Sequence, residues 1–193
     1  MVDPETVNRK RNEFELQEFA LFCIAVAGKN AKNIAKALNR FLGDQNTSLP
    51  FETIKGLHSS GMLETAIRNA RLGQYTKLTK AFYQISQLDL NTCTLEELEK
   101  VHGIGFKTSR FFLTYTRPNQ KFSILDTHIL RYMREELGIT TPKSTPSNFK
   151  KYRELEDLFI KHCENSKRLI ADLDLEIWTR YSNKKAKTAE KEN

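Results

Sequence analysis

The sequence has little of what characterises secreted, metal-cluster and membrane proteins. Its three cysteines, Cys23, Cys93 and Cys163, are odd in number and far apart. They predict neither a disulfide framework nor a metal site, and they suit a reducing compartment. No apolar run approaches the ~18 residues that a membrane span needs, and the first residues, MVDPETVNRKRNEFE, are too polar for a secretory signal. We therefore expect an intracellular protein without a membrane segment.

The balance of charge favours an anionic partner. The chain carries 31 Lys and Arg against 24 Asp and Glu, which gives a formal net charge of +7. Many basic proteins bind no nucleic acid, so charge alone does not identify the partner. The 193 residues, 39% of them hydrophobic, suffice for one compact domain or for two interleaved lobes.

Almost every segment has the periodicity of an amphipathic helix, and strand patterns are nearly absent, which predicts an all-α fold. In the first helix, Leu16, Phe19 and Cys23 recur at helical spacing and predict one buried face. Further helices are expected at 61–70, 76–87, 94–102, 106–115, 127–137, 148–163 and 165–181. The tail 183–193 lacks an apolar anchor and is expected to be disordered.

A glycine hairpin stands out in the middle of the chain. Thr94 and Glu97 form a capping-box pattern that begins one helix, and Gly103-Ile104-Gly105 separates it from the next. Two glycines around one apolar residue allow a tight turn that exposes amide N–H groups at the start of the second helix. Such amides bind phosphate. The alternative is a plain helix–turn–helix corner, because G-x-G by itself is a weak motif.

An amine and a carboxylate follow the hairpin. Lys107 comes just after it, and Asp126, a good N-cap residue, opens the next helix. Because one helix and one loop separate them, we expect the second helix to fold back and bring both groups into one cleft. An amine nucleophile beside a carboxylate, next to a phosphate-binding hairpin, indicates chemistry on a nucleic-acid sugar. Taken singly, each residue has a simpler explanation as a surface lysine or a capping aspartate.

Two motifs in this order resemble the signatures of the helix-hairpin-helix (HhH-GPD) DNA glycosylase superfamily. They are GIGFKTS at residues 103–109 and LDTHILR at residues 125–131. Within the superfamily, the chain is most similar to the compact archaeal-type 8-oxoguanine DNA glycosylases/AP lyases, through residues 21–24, residues 123–126 and the D-x-x-x-W of residues 174–178. It departs from them at Ala27-Gly28, where an asparagine is expected, and in a tail that continues beyond residue 183.

The resemblance implies a two-lobed helical fold with the active-site cleft between the lobes. The glycosylase domain is expected to span 14–182, with the hairpin at 94–115 and the acidic signature at 123–131, between a polar lead at 1–13 and the basic tail. The implied function is that of a bifunctional DNA glycosylase/AP lyase of base excision repair. Such an enzyme excises a damaged base, here 8-oxoguanine, from double-stranded DNA, and we expect it to act as a monomer.

The resemblance also implies roles for individual residues. Lys107 and Asp126 are catalytic, and the expected phosphate-binding residues are Gly103, Ile104, Gly105, Thr108 and His128. The expected base pocket contains Phe22, Asp174 and Trp178. The residues expected to fill the space vacated by the base are Gly28, Lys29 and Asn30. For Phe22, Trp178 and His128 a purely structural role remains the alternative, and Phe149 is expected in the core.

No cofactor is expected. Three cysteines cannot form the four-cysteine site of an iron–sulfur cluster, no catalytic metal is implied, and a monovalent cation at the hairpin is suggested by the resemblance alone. Lys29, Lys32 and Lys36 form a basic side of the second helix, either as DNA-backbone contacts or as a solvated face.

Two other functions remain open. One keeps the chemistry but changes the base to an oxidised pyrimidine or another modified base. The other is a non-catalytic helix-hairpin-helix module that binds DNA phosphates. Such a module needs the Gly103–Gly105 hairpin but has no use for Lys107 and Asp126.

Overall fold

The all-α prediction is confirmed. The computed structural model describes residues 1–43, 48–117 and 119–189, with backbone only for 183–189. These described residues form ten helices and no strand. The helices are α1 (Glu13–Ala25), α2 (Ala31–Leu42), α3 (Pro50–Ser59), α4 (Leu63–Asn69), α5 (Tyr75–Ile85), α6 (Leu95–Lys100), α7 (Phe106–Thr116), α8 (Thr127–Glu135), α9 (Phe149–Asn165) and α10 (Ile170–Ala189).

The chain divides into two compact units. Unit 1 comprises Met1–Pro4 and Lys10–Phe112, and unit 2 comprises Glu5–Arg9 and Leu113–Asn193. The polar lead 1–13 is therefore shared between the units, and α1 begins within it at Glu13, behind an Asn12 capping box. The chain passes from unit 1 to unit 2 inside α7.

Helix α1 is the centre of unit 1. Every residue from Gln17 to Ala25 is buried, because α1 contacts α2, α3 and α5 and the Phe19 ring packs edge-on against Phe111 of α7. The prediction of a single buried face was wrong for this reason. A helix that is apolar all round is a core helix, which the periodicity of a few apolar residues does not reveal.

A polar side chain of α1 caps its neighbour. Pro50 is the first residue of α3, and Leu49 provides no side-chain cap. The N–H of Phe51 instead donates to Oε1 of Gln17 at 2.9 Å. Gln17 is buried, and its amide gives a partner to a helix-terminal donor that water does not reach.

Helices α6 and α7 are fastened together by a buried ion pair. The Arg110 guanidinium is fully buried, and its Nη1 lies 2.7 Å from Oε1 of Glu99. The Ser109 hydroxyl donates to the same carboxylate oxygen at 3.0 Å. Glu99 belongs to α6 and the other two residues to α7, so this contact sets the spacing of the two helices on either side of the hairpin.

Unit 2 has a separate core. Helix α10 packs against α8 and α9, and all three bury one apolar face. The fully buried side chains at its centre are Leu130, Tyr152, Phe159 and Ile177, together with Met133. Arg9 brings the segment Glu5–Arg9 into this unit through an ion pair with Asp172 of α10.

The structure differs from the sequence prediction at the last two helices. Helix α9 continues to Asn165, and α10 begins at Ile170, because Lys167 adopts a left-handed φ of 52° that interrupts the helix. The backbone then stays helical to Ala189, where disorder was expected from residue 183. Extending an anchored helix requires no new nucleus. Residues 190–193 of that expected tail lie outside the described residues.

Two further observations concern the surface. Phe149, the first residue of α9, is 53% exposed, so its placement in the core was wrong. Among the described helices, none is long and apolar enough to cross a membrane.

We predict that Glu99→Gln lowers the free energy of unfolding by about 1–3 kcal/mol, because it removes the carboxylate charge that lies against the buried Arg110 guanidinium. Glu96→Gln makes the same change at an exposed position of the same helix and is expected to cost at most about 0.5 kcal/mol. Urea unfolding measures both. Equal midpoints for the two variants would contradict a role for the ion pair.

Candidate active site

The hairpin is formed as the sequence predicts. Thr94 caps α6, and its hydroxyl and backbone N–H exchange hydrogen bonds with Glu97. The chain turns after Lys100, and the N–H of Ile104 donates to the Val101 carbonyl at 3.0 Å. Ile104 is 8% exposed, so it anchors the tip of the turn in unit 1.

The two glycines of the hairpin meet different requirements. Gly103 has a φ of +77°, and a Cβ there would overlap Cε of Lys77, so the fold itself requires glycine. Gly105 has no such constraint, because a Cβ at that position would meet nothing within 4 Å. Its surroundings are open, and a ligand can approach its backbone closely. The phosphate-binding role of the hairpin thus has its clearest support at Gly105.

Helix α7 starts directly at the hairpin. The Gly105 carbonyl accepts from the N–H groups of Thr108 at 3.0 Å and Ser109 at 3.1 Å, which makes Gly105 the residue before the first turn. The amides of a first turn have no partner within their own helix. The helix dipole also favours an anion at this N-terminus, and the half-buried Thr108 belongs to the same turn.

Lys107 lies in this first turn and is half-buried. Its charge is felt by Cys23 of α1. Burial raises the pKa of the Cys23 thiol, and the positive charges of Arg11 and Lys107 oppose that rise. The thiol therefore stays neutral and provides no anion for the amine. The Arg11 guanidinium, which lies 3.8 Å from the centre of the Phe19 ring, is a cationic neighbour on the same side of unit 1.

Asp126 is the N-cap of α8, as predicted. Its Oδ1 accepts from the N–H groups of His128 at 2.8 Å and Ile129 at 2.9 Å. The side chain is half-buried. Within the described part of the chain both bonds use Oδ1, so Oδ2 is left for another partner. Two backbone amides hold the carboxylate at the positive end of the helix dipole.

The segment before Asp126 is extended but pairs with no strand, and α9 holds it in place. The Tyr152 hydroxyl donates to the Ser123 carbonyl at 2.8 Å and accepts from the Leu125 N–H at 3.2 Å. Oε1 of Glu156 accepts from the Ser123 N–H at 2.9 Å. The Thr145 hydroxyl donates to the Leu125 carbonyl at 2.7 Å. These three side chains give the shielded peptide groups the partners that a sheet would provide.

Sequence reasoning missed Tyr152 and Glu156. A signal was present, because Glu156 sits in the apolar stripe of α9, one turn after Tyr152 and among Leu155 and Phe159. Glu156 is 0% exposed. A buried carboxylate needs partners, and here they are the Ser123 amide and Arg153, whose Nη1 lies at 2.7 Å.

The residues expected to contact the base lie in both units. In unit 2, Asp174 of α10 is 8% exposed and accepts a hydrogen bond from the Tyr115 hydroxyl at 2.8 Å. Trp178, one turn later, is half-buried. Nearby, burial and the charge of Asp174 raise the pKa of the Cys163 thiol to about 12. In unit 1, Phe22 is 1% exposed and stacks on Phe19, the position of a core residue.

The residues expected to fill the vacated space have defined structural tasks. Gly28 has a φ of +72°, and Asn30 caps α2 by accepting from the Asn33 N–H. Lys29 precedes that cap, so it is not on α2 with Lys32 as expected. It donates instead to the Leu72 carbonyl at 2.7 Å. The wedge role of the three residues stays a prediction.

The expected catalytic residues belong to different units. Lys107 and the hairpin lie in unit 1, whereas Asp126 and His128 lie in unit 2. His128 is half-buried, with its ring 6.4 Å from that of Tyr181. The shared cleft and the phosphate contact of His128 remain predictions. No group of three or more His, Cys, Asp or Glu side chains suited to a metal ion occurs among the described residues.

We predict that Tyr152→Phe speeds hydrogen exchange at the Leu125 amide by about tenfold or more, because a lost hydrogen bond contributes about 1 kcal/mol or more when its partner stays buried. The Ser123 amide, which Glu156 holds, is expected to change less. Native-state exchange followed by NMR measures both sites. Tyr83→Phe removes a hydroxyl from α5 and serves as the control; unchanged exchange at Leu125 in Tyr152→Phe would show that Tyr152 does not hold the segment.

Two comparisons with known proteins bear on the family of this chain. The family model Ogg-HhH, described as 8-oxoguanine DNA glycosylase, matches residues 2–168 and so includes both the hairpin and Asp126. The fold is similar to the crystal structure of Methanocaldococcus jannaschii 8-oxoguanine glycosylase/lyase in complex with 15mer DNA containing 8-oxoguanine. That match has 22% identity and a TM-score of 0.65, and it covers 90% of this chain and 84% of the other. The chain therefore belongs to the 8-oxoguanine DNA glycosylase family, which confirms the enzyme class predicted from its hairpin and acidic signature.

Proposed function

We propose that this glycosylase excises 8-oxoguanine from double-stranded DNA and then cleaves the strand as an AP lyase, with Lys107 as the nucleophile. The observation that carries the proposal is the family match over residues 2–168, a range that includes Lys107 and Asp126. The similar M. jannaschii protein is a glycosylase/lyase seen with DNA that contains 8-oxoguanine, which supports the same lesion here.

In the first step, Lys107 replaces the base on the anomeric carbon of the sugar. The target nucleotide leaves the stack, and the neutral Lys107 amine attacks the anomeric carbon of its sugar. A carbon–nitrogen bond forms to the lysine while the bond to the base breaks, and the base leaves with the bonding electrons and takes up a proton. The covalent intermediate divides one difficult displacement into easier steps.

Lys107 must lose a proton before it attacks. An ammonium group has no lone pair, so only the neutral amine can form the new carbon–nitrogen bond.

Asp126 provides a fixed negative charge. As the base departs, positive charge develops on the sugar, and a preorganised carboxylate stabilises it. The two amide bonds to Oδ1 keep the carboxylate in one orientation, and neither bond uses Oδ2. Tyr152 and Glu156 act through Asp126, because they hydrogen-bond the backbone segment that precedes it.

Strand cleavage follows from the same bond. The sugar ring opens, and the lysine adduct becomes a Schiff base between Nζ and C1′. Loss of a proton from C2′ then expels the 3′ phosphate by β-elimination, and hydrolysis of the Schiff base releases Lys107.

We propose that the amides of Gly105 and of the first turn of α7 hold a backbone phosphate, with a monovalent cation at the hairpin and no other cofactor. The enzyme acts as a monomer, inside the cell and on its DNA.

We predict that Lys107→Gln abolishes the covalent adduct that borohydride traps on a duplex containing 8-oxoguanine, and abolishes strand cleavage, while most of the DNA affinity remains. Glutamine is a shorter polar side chain that has no nucleophilic amine. Gel electrophoresis of the trapped complex measures the result. Lys161→Gln, an exposed lysine of α9, removes the same charge and should trap normally; adducts in Lys107→Gln would reject the assignment of the nucleophile.

The same assay identifies the substrate when the unaltered enzyme is offered 8-oxoguanine, an oxidised pyrimidine, uracil and a bare abasic site. An adduct selective for 8-oxoguanine is expected. Trapping on another base keeps the mechanism and changes the substrate. Binding without any adduct leaves a DNA-binding module.

We predict that Asp126→Asn slows single-turnover base release by about 100-fold or more, the usual contribution of such a group, with a small loss of DNA affinity. Asparagine is an equally good N-cap, so the start of α8 is preserved and only the charge is lost. Rapid-quench kinetics at saturating enzyme measure the rate, and thermal unfolding checks the fold. A rate close to that of the unaltered enzyme would remove Asp126 from the mechanism.

A further inference from the structure

Two lysine side chains lie close to the hairpin and to the turn before α5 in unit 1. Lys77 extends from α5 so that its side-chain carbons lie against Gly103: a Cβ on that glycine would overlap Cε and stand 3.4 Å from Cδ. Lys29 reaches across from the turn between α1 and α2, and its Nζ lies 3.5 Å from the position of a Cβ on Gly73. Both side chains are half-buried rather than extended into water.

The two amines are close enough to influence one another. Partial burial lowers the pKa of Lys29, and the positive charge of Lys77 lowers it further. In the described part of the chain, the hydrogen bond that Lys29 makes goes to the neutral Leu72 carbonyl, and neither amine pairs with a carboxylate. Two ammonium groups held together without an anion repel each other, so this arrangement is costly for the protein on its own.

A phosphate bound between the two amines would relieve this repulsion. Lys29 uses one of its three N–H groups on Leu72, which leaves two for a ligand. The Lys77 stem crosses Gly103, two residues from the open backbone at Gly105. We propose that Lys29 and Lys77 together bind one phosphate of the DNA backbone, a different phosphate from the one that the hairpin amides hold. This inference rests on the proposed function only in taking DNA as the ligand.

The shared site also explains the position of Lys29. Its bond to Leu72 ties the turn before α2 to the turn before α5, where Gly73 and Gln74 both have positive φ angles. A side chain that is fixed in this way is suited to a backbone phosphate and not to insertion into the base stack. The phosphate interaction therefore replaces the wedge role for Lys29.

The salt dependence of DNA binding tests this site. The affinity for a duplex with a tetrahydrofuran abasic analogue, which cannot form a Schiff base, is measured by fluorescence anisotropy over a range of KCl concentrations. In Lys29→Gln/Lys77→Gln, the slope of log K against log salt should fall in magnitude by about 0.9, the value for one phosphate contact. Lys161→Gln should keep the slope of the unaltered enzyme.

The single variants test whether the site is shared. Lys29→Gln and Lys77→Gln should each weaken binding, and the double variant should lose less affinity than the product of the two single losses, because both amines hold one phosphate. Lys77→Arg keeps the positive charge, so it should keep the slope of log K against log salt that the unaltered enzyme shows. A double variant with an unchanged slope, or two strictly multiplicative losses, would overturn the proposal. Thermal unfolding of each variant separates a lost contact from a lost fold.

The outcome is independent of the lyase chemistry. Borohydride trapping by the unaltered enzyme tests the proposed function separately. A changed salt slope without any adduct would support the phosphate site and reject Lys107 as the nucleophile. An adduct together with an unchanged slope in the double variant would support the nucleophile and reject the phosphate site.

Discussion

Backbone N–H and C=O groups that lie outside a helix and are shielded from water need hydrogen-bond partners. In this chain, side chains provide those partners. Tyr152, Glu156 and Thr145 satisfy the extended segment before Asp126. Gln84 of α5 accepts from the His102 N–H at 2.6 Å, just before the hairpin. The described residues form no strand that could do this, so the segment before Asp126 and the start of the hairpin depend on polar side chains from elsewhere in the chain.

The same principle links the basic residues to the fold. Lys29 donates to the Leu72 carbonyl, and the guanidinium of Arg40 donates to the Ala70 carbonyl at 3.0 Å. Both bonds fix the end of α4 and the turn that follows it. The charge remains available after the hydrogen bond is made, since each side chain has several donors. A basic protein can in this way use its cations to hold turns and to attract DNA phosphates.

The glycines show how structural and functional demands separate within one motif. Gly103 is required by its own backbone angle and by the Lys77 side chain that crosses it. Gly105 is required by neither, and the space before it is open. A motif that looks uniform in sequence thus contains one position selected by folding and one that is suited to the approach of a ligand.

The sequence by itself determined the helical class, the capped hairpin, Asp126 as an N-cap and the family. These features depend on local patterns, such as capping boxes, glycine turns and helical periodicity, which a few neighbouring residues specify. It did not predict the burial of every residue of α1 from Gln17 to Ala25, the end of α9 or the exposure of Phe149. Only the tertiary structure decided that Tyr152 and Glu156 hold the Asp126 segment and that Lys29 meets Lys77. Those contacts join residues far apart in the chain. The polar Glu156 within an apolar stripe marks a buried carboxylate, but local sequence does not identify the distant group that it binds.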